Sequence, residues 1–403
     1  MPERLKSPLS FQFTGCKPNG KLIAGFGASQ VLGDLLKPYG NKKVLLVSDK
    51  ALLSLGVVDY ALESVVKAGI SYDVYSEIEP EPHIESFRNC QELIRNSDYM
   101  AVVGMGGGSA MDVAKVASVS SANADDILAY CTGKPIEREG LPLILAPTTS
   151  GTGSEVSPYI VTSHENKKLF FGNPYLYPLV SLLDPLLTVS MPPKVTASTG
   201  LDALSHAIEG YLGSQTAITE TFTTKSVEYV MKYLKRACEN GEDFEARYHM
   251  AFAAVYGMLS YSQGGGLYAH SLSYILTLAR NLPHGAGCGL GLPYTMMFNL
   301  GGAERAMSNL TEYLGRIMPV ARGRDHKGNA RSLVEAIHKL VSDVGLPASL
   351  KELGVPREEI ELYAEALRRD YYRTKNPRPL SAQEAVLLVR SMWDGELREI
   401  PVA

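Results

Sequence analysis

Asp202 and His206 stand four residues apart in S-T-G-L-D-A-L-S-H-A-I-E-G-Y, a run that begins at Ser198 and has a helix-like pattern. That spacing stacks both side chains on one helix face. His270 follows in G-G-L-Y-A-H-S-L-S-Y and His284 in N-L-P-H-G-A-G. One carboxylate and three imidazoles could converge on a single cation, a donor set that suits zinc or ferrous iron. Spacing alone leaves this open, because an Asp–His pair at i, i+4 is equally an ordinary helix-surface contact and lone histidines are often satisfied, partly buried residues. No H-E-x-x-H or C-x-x-C signature decides the matter.

Two glycine-rich stretches come earlier. Gly104 to Lys115, G-M-G-G-G-S-A-M-D-V-A-K, follows an apolar run and leads into an amphipathic helix. Glycines let backbone approach a ligand closely, and free N–H groups at a helix start favour a phosphate. The run matches neither G-x-G-x-x-G nor a P-loop, so a glycine turn packed on a sheet remains the other reading. Pro147 to Glu155, P-T-T-S-G-T-G-S-E, also follows an apolar run and would sit at a strand's carboxyl end, the edge where open α/β sheets bind ligands.

The elements that must position these residues fall into two halves. Extended segments are expected at Leu9 to Thr14, Lys43 to Ser48, Tyr72 to Tyr75, Tyr99 to Val103 and Leu141 to Ala146, alternating with helices at Ser29 to Lys37, Tyr60 to Ala68 and Ile84 to Asn96. The near-continuous apolar character of K-V-L-L-V-S predicts a buried parallel strand. Strand signals stop near Asp184-Pro185 and Pro192-Pro193. Beyond them helices are expected at Thr196 to Tyr211, Glu220 to Ala237, Asp243 to Tyr261, Leu272 to Arg280, Ala303 to Met318, Ala330 to Val344, Glu358 to Arg368 and Ala382 to Trp393. The expected architecture is an α/β dinucleotide-binding domain over residues 1–190, with a mainly parallel sheet, and an all-helical metal-binding domain over 191–403.

Composition is that of an ordinary globular protein: 403 residues, 45% hydrophobic and 20% charged, with room for two substantial cores. A net charge of -4 and no long basic run give no attraction to nucleic acid or anionic membrane, so a small molecule is the expected partner. Cys16, Cys90, Cys131, Cys238 and Cys288 are scattered, which predicts reduced thiols rather than a disulfide framework or a thiolate metal site. The first residues lack the apolar core of a secretion signal and no apolar run approaches the ~20 residues of a membrane span, so a cytoplasmic protein is expected.

Together the motifs resemble the iron-dependent, or group III, alcohol dehydrogenases. They occur in the family's order over nearly the full length: G-G-G-S-A-M-D-V-A-K from Gly106, P-T-T-S-G-T-G-S-E from Pro147, G-L-D-A-L-S-H-A-I-E from Gly200, His270, P-H-G from Pro283 and N-P-R-P from Asn376. The resemblance implies a dehydroquinate synthase-like two-domain fold, with Asp202, His206, His270 and His284 as ligands of the catalytic metal, Fe2+ or alternatively Zn2+. It implies diphosphate contacts at Gly107, Gly108, Ser109 and Asp112, and nucleotide contacts at Thr148, Thr149, Thr152 and Ser157. Asp49 matches the position that selects NAD, since a carboxylate accepts bonds from ribose hydroxyls and repels the 2′-phosphate of NADP; NADP use stays open. Lys168 matches a lysine near the nicotinamide ribose, with Lys167 beside it as the other register.

Two departures stand out. Tyr274 occupies the place, four residues after His270, where the family commonly has a second His that moves protons, and a phenol is the poorer shuttle near neutrality. Glu81-Pro82 replaces the family's Asn-Pro. The activity implied is NAD(P)-linked hydride transfer between nicotinamide C4 and an alcohol or carbonyl substrate held by the metal, with Tyr274 and His270 nearest the chemistry. Tyr159, Tyr256, Tyr261, Tyr268 and Tyr274 are candidates for a polar aromatic lining. The alternatives are a hydroxyacid-oxoacid transhydrogenase and a dehydroquinate synthase-like lyase with no net redox change. The resemblance also implies a homodimer built partly through an N-terminal strand, which Leu9 to Phe13 could supply.

Overall fold

The computed structural model describes residues 9–12 and 20–401 except 320, 321 and 324. Cys16 and the end of the expected first strand, Phe13 and Thr14, lie outside the described residues. The chain divides into two compact units, one of residues 1–191 and 241–251, the other of 192–240 and 252–403.

The strands among the described residues are in the first unit: β1 (Leu9–Gln12), β2 (Lys21–Ala24), β3 (Lys43–Val47), β4 (Tyr72–Tyr75), β5 (Tyr99–Gly106), β6 (Leu143–Pro147), β7 (Tyr159–His164), β8 (Lys167–Gly172) and β9 (Val180–Leu183). Seven form one sheet in the order β1-β2-β9-β6-β5-β3-β4, parallel except for β1; β7 and β8 form a separate antiparallel hairpin. Its helices are α1 (Leu32–Leu36), α2 (Lys50–Ser54), α3 (Asp59–Lys67), α4 (Ile84–Arg95), α5 (Gly108–Ser120) and α6 (Ile127–Cys131). Alternate residues of the central strands enter opposite cores. Leu45 and Val47 pack with Phe87, Met111 and Ile127 on one face, Val44 and Leu46 with Leu32, Leu62 and Val65 on the other. Burial on both faces is why β3, β5 and β6 read as continuous apolar runs.

From β3 the chain steps outward to β4 and returns to the other side of β3 as β5. The strand order therefore reverses between β3 and β5, and the loops leaving their carboxyl ends open a crevice there. Asp49 follows β3 and Gly106 ends β5. A Cβ on Gly106 would lie 3.8 Å from Asp49 Oδ2 and 2.7 Å from Ala110 Cβ, so only glycine lets α5 start this close to the strand.

The second unit is helical: α7 (Pro193–Gly213), α8 (Ala217–Glu239), the later part of α9 (Phe244–Gly264), α10 (Tyr268–Arg280), α11 (His284–Phe298), α12 (Leu300–Leu314), α13 (His326–Asp343), α14 (Ile360–Arg369) and α15 (Ala382–Asp394). Propensity argues against α11, which carries Gly285, Gly287, Gly289, Gly291 and Pro293. Four glycines and a proline cost about 7 kcal/mol relative to alanine. Burying Leu290, Leu292, Tyr294, Met296, Met297 and Phe298 offsets this at about 1.5–3 kcal/mol each. The glycines also permit contact: a Cβ on Gly285 would lie 2.2 Å from the Ser198 carbonyl oxygen and 2.9 Å from Asp202 Cβ. That approach seats the start of α11 against the middle of α7.

Candidate metal centre

Asp202, His206 and Glu209 lie on α7 at spacings of four and three, one stripe of one helix. His270 is in the first turn of α10, with Tyr274 one turn later, and His284 is the first residue of α11. These helices bring the four expected ligands together. Asp202 Oδ1 is 3.9 Å from His206 Nε2, 3.9 Å from His270 Nε2 and 3.7 Å from His284 Nε2. A zinc-like ion with bonds of 2.0–2.2 Å would space tetrahedral donors about 3.3–3.6 Å apart. The three Asp202–imidazole spacings would each shorten by only a few tenths of an ångström, whereas His206 stands outside the group of ligand atoms that lie within 4.8 Å of one another and would have to move further.

Hydrogen bonds behind the rings fix their orientation. His270 Nδ1 donates to Glu209 Oε2 at 2.5 Å, and Glu209 also accepts the backbone N–H groups of Leu267 at 2.9 Å and Ala269 at 2.6 Å. His284 Nδ1 donates to Ser273 Oγ at 2.9 Å, whose own proton goes to the His284 carbonyl oxygen at 2.6 Å. Both rings are thereby held with Nε2 as the lone-pair nitrogen facing Asp202. His270 Nε2 is buried and has no hydrogen-bond partner. A buried acceptor left unbonded beside a carboxylate fits a cation between them.

Burial pushes the Glu209 carboxyl up to about 7, against the pull of the Leu267 and Ala269 N–H groups and the charges of Arg373 and His206. Burial, reinforced by His206, His284 and Arg373, holds the His270 imidazole well below its ordinary value. A neutral imidazole is the form that binds a metal. The donor chemistry, the orientation and the burial all suit a divalent ion.

Tyr274 stacks on His284 with ring centroids 5.4 Å apart and planes 22° apart. The Arg373 guanidinium sits 5.8 Å from the Tyr274 ring centre, hydrogen-bonds the Tyr274 side chain, and donates from Nε to Ser271 Oγ at 2.8 Å. Burial alone would weaken the Arg373 charge, and the surrounding Tyr274, Tyr261 and Glu209 more than offset that. Of the five tyrosines considered as lining, Tyr261 packs edge-on against His206 at 4.7 Å and Tyr274 is at the centre. Tyr268 belongs to the core beside Phe298, Tyr256 packs on Phe222, and Tyr159 is on β7 in the other unit.

The expected cofactor residues lie in the first unit. Gly107 is the N-cap of α5 and no side chain caps the helix, so Gly108 and Ser109 present a helix start of the kind that takes a phosphate. Thr148 N–H bonds the Gly106 carbonyl at 3.0 Å, and a Cβ on Gly108 would meet Thr152 Cγ2 at 2.9 Å, so the two loops lie side by side. Thr149 Oγ1 would be 3.7 Å from a Cβ on Gly107. Asp49 Oδ1 accepts the Leu52 N–H at 2.9 Å, capping α2.

Three residues expected at the cofactor turn inward. Asp112 accepts from Ser154 Oγ at 2.7 Å and from the Val161 N–H at 2.9 Å. Fully buried Lys115 bridges Asp112, Ser154, Ser157 and the Tyr159 carbonyl, so Asp112 and Ser157 clamp the two loops together. Lys168 is paired with Glu81, the residue that replaces the expected Asn.

Glu209, Ser273, Arg373 and Cys288 are the residues at this centre that motif reasoning passed over. Glu209 is the last residue of the quoted D-A-L-S-H-A-I-E run, and its place seven residues after Asp202 was the available signal. Cys288 lies one turn after His284 on α11, apart from any paired-cysteine pattern, and its Sγ is 3.6 Å from His284 Nε2. Ser273 and Arg373 carried no local signal.

Among the described residues no helix is long and apolar enough to cross a membrane. Two family descriptions match the chain: iron-containing alcohol dehydrogenase over residues 19–185 and the C-terminal part of the Fe-containing alcohol dehydrogenase family over 196–393. The chain is 32% identical over 389 residues to long-chain-alcohol dehydrogenase 1 of Geobacillus thermodenitrificans, covering 93% of this chain and 95% of that one. It is 30% identical over 372 residues to the NAD-dependent methanol dehydrogenase of Bacillus methanolicus, covering 92% and 97%. Its fold is similar to the solved structure of the alcohol dehydrogenase from Oenococcus oeni, with a TM-score of 0.87 at 30% identity over 95% of this chain and 100% of that one.

Proposed function

The chain belongs to the iron-containing alcohol dehydrogenase family, and from that premise we propose that Asp202, His206, His270 and His284 hold its catalytic ion. The observation that carries this reading is the single carboxylate oxygen, Asp202 Oδ1, within 3.7–3.9 Å of three imidazole nitrogens. The activity is NAD-linked oxidation of an alcohol and reduction of the matching aldehyde or ketone. When bound, the ion supplies Lewis-acid charge at the substrate oxygen and the nicotinamide takes or gives the hydride. Glu209 and Ser273 orient His270 and His284, and Tyr274, held by Arg373 against His284, is the nearest candidate to carry the proton.

We assign cofactor binding to residues 1–190 and the metal to 191–403. The α5 start with Gly107, Gly108 and Ser109 takes the diphosphate, Thr148, Thr149 and Thr152 flank it, and Asp49 selects NAD over NADP. Asp112 and Ser157 act through Lys115 as loop clamps. Lys168, paired with Glu81, acts on the nicotinamide side through that pair. Ferrous iron and zinc are both compatible with the donors. Among the described residues β1 is the end strand of the sheet, which supports pairing with a second copy, and the protein is assigned to the cytoplasm.

The test is NADH absorbance with protein loaded separately with ferrous iron and with zinc, against short alcohols, diols, hydroxy acids and the matching carbonyls. Metal-dependent NADH formation is expected. Binding of NAD with no net NADH release on any substrate would transfer the assignment to a transhydrogenase or to a lyase without net redox change.

A further inference from the structure

We propose that the Cys288 thiolate is a further ligand of the bound ion, which makes this centre mixed in nitrogen, oxygen and sulfur and biases it toward zinc and cobalt over ferrous iron. This rests on the ligand roles assigned above to Asp202, His270 and His284. Ligand atoms of Asp202, His270, His284 and Cys288 all lie within 4.8 Å of one another, and this is the one such group of His, Cys, Asp and Glu among the described residues. Cys288 is fully buried, and its Sγ stands 3.6 Å from His284 Nε2. Zinc–sulfur and zinc–nitrogen bonds of 2.3 and about 2.1 Å at a tetrahedral angle put the two donors about 3.6 Å apart.

An independent observation points into the same space. His270 Nε2, on a side chain 1% exposed, has no hydrogen-bond partner and faces this group. The helix provides the reason for the placement. His284 and Cys288 are i, i+4 on α11, so both side chains rise on the face that Gly285 brings against Asp202. His206 reaches the same carboxylate oxygen at 3.9 Å but lies outside the mutual 4.8 Å group. Asp202, His270 and His284 are thus the common donors, and Cys288 adds to them and to His206 rather than replacing His206. Thiolate is the softer donor and selects zinc-like ions, while coordination removes its proton to solvent.

The experiment uses the full chain stripped of metal and reloaded with cobalt(II), with Cys288→Ser and Cys288→Ala alongside. The expected result is a near-ultraviolet thiolate-to-cobalt charge-transfer band in the wild type, lost in both variants while one cobalt per chain is retained. Zinc is expected to slow alkylation of Cys288 by iodoacetamide at least tenfold, read peptide by peptide. After anaerobic equilibration with equal zinc and ferrous iron, the bound zinc-to-iron ratio is expected to fall about tenfold in Cys288→Ser. One bound cobalt with no thiolate band, or a band that survives in both variants, overturns the thiolate ligand and leaves the Asp–His centre standing. No cobalt bound by the wild type overturns both. If neither variant folds, absence of the near-ultraviolet thiolate band from cobalt-loaded wild type overturns the proposal and its presence supports it.

Discussion

The Glu209 carboxylate bonds His270 Nδ1 at 2.5 Å while two backbone N–H groups, of Leu267 and Ala269, grip the same carboxylate. The acceptor that orients the ring is thus itself fixed by the chain entering α10. Such a partner raises the basicity of the imidazole and holds its tautomer, and losing it typically costs 10- to 100-fold in metal affinity. Glu209→Gln must turn its amide N–H groups toward one of these donors. Zinc affinity measured against a chromophoric chelator is expected to fall about 10- to 100-fold. An affinity unchanged within twofold would remove Glu209 from the centre.

Tyr274 and His284 stack, and the Arg373 guanidinium lies 5.8 Å from the centre of the same tyrosine ring. Tyr274→Phe keeps the ring and deletes the hydroxyl. A group that transfers a proton in the rate-limiting step contributes about 10²–10⁴-fold. The expected outcome is a fall of that order in kcat with metal stoichiometry unchanged, and recovery in part by Tyr274→His. If Tyr274→Phe turns over at the wild-type rate, the proton takes another path and the tyrosine is packing.

Asp49 caps α2 through Oδ1, and its Oδ2 lies near Gly106 at the sheet's switch point. Asp49→Asn keeps a good cap and drops the charge, which separates the two roles. Hydrogen bonds to a charged partner are worth about 1.5–3 kcal/mol, so the ratio of kcat/KM for NAD to that for NADP should drop about 10- to 100-fold. Stability by thermal melting should stay within about 1 kcal/mol. An unaltered cofactor ratio would leave Asp49 as a helix cap alone.

What the sequence showed and what it hid divide along physical lines. Strands β3, β5 and β6 were legible because two-sided burial writes itself as an apolar run. β2 and β9 have only four residues each. The hairpin of β7 and β8 turns through Glu165 and Asn166, both at positive φ, where the usual Asn-Gly or Asp-Gly cue is absent. α11 was hidden by its glycines and proline, which tertiary packing overrides. At the metal centre, Asp202, His206, His270 and His284 could be named from motif order. Arg373 could not, because its partners Ser271 and Tyr274 are about a hundred residues away and only the fold brings them together.

Glu155 closes the P-T-T-S-G-T-G-S-E run, and its side chain is buried in the first unit. Burial pushes its carboxyl up to about 7; the Glu155 backbone N–H and Lys115 pull it down without cancelling the effect. An unfolded glutamate titrates near 4.3. Between these values the folded protein holds a proton that the unfolded chain has released, so this group favours the folded state most below about pH 4.3, and that advantage is lost as pH rises through about 7. The full swing is about 4 kcal/mol. Glu155→Gln removes it. The melting temperature of the variant relative to wild type is therefore expected to rise by roughly 3 °C between pH 5 and pH 8.5. Melting curves for both proteins across that range check the sign as well as the size. A difference that stays constant with pH would mean that Glu155 is charged in the folded protein and that its surroundings accommodate the charge.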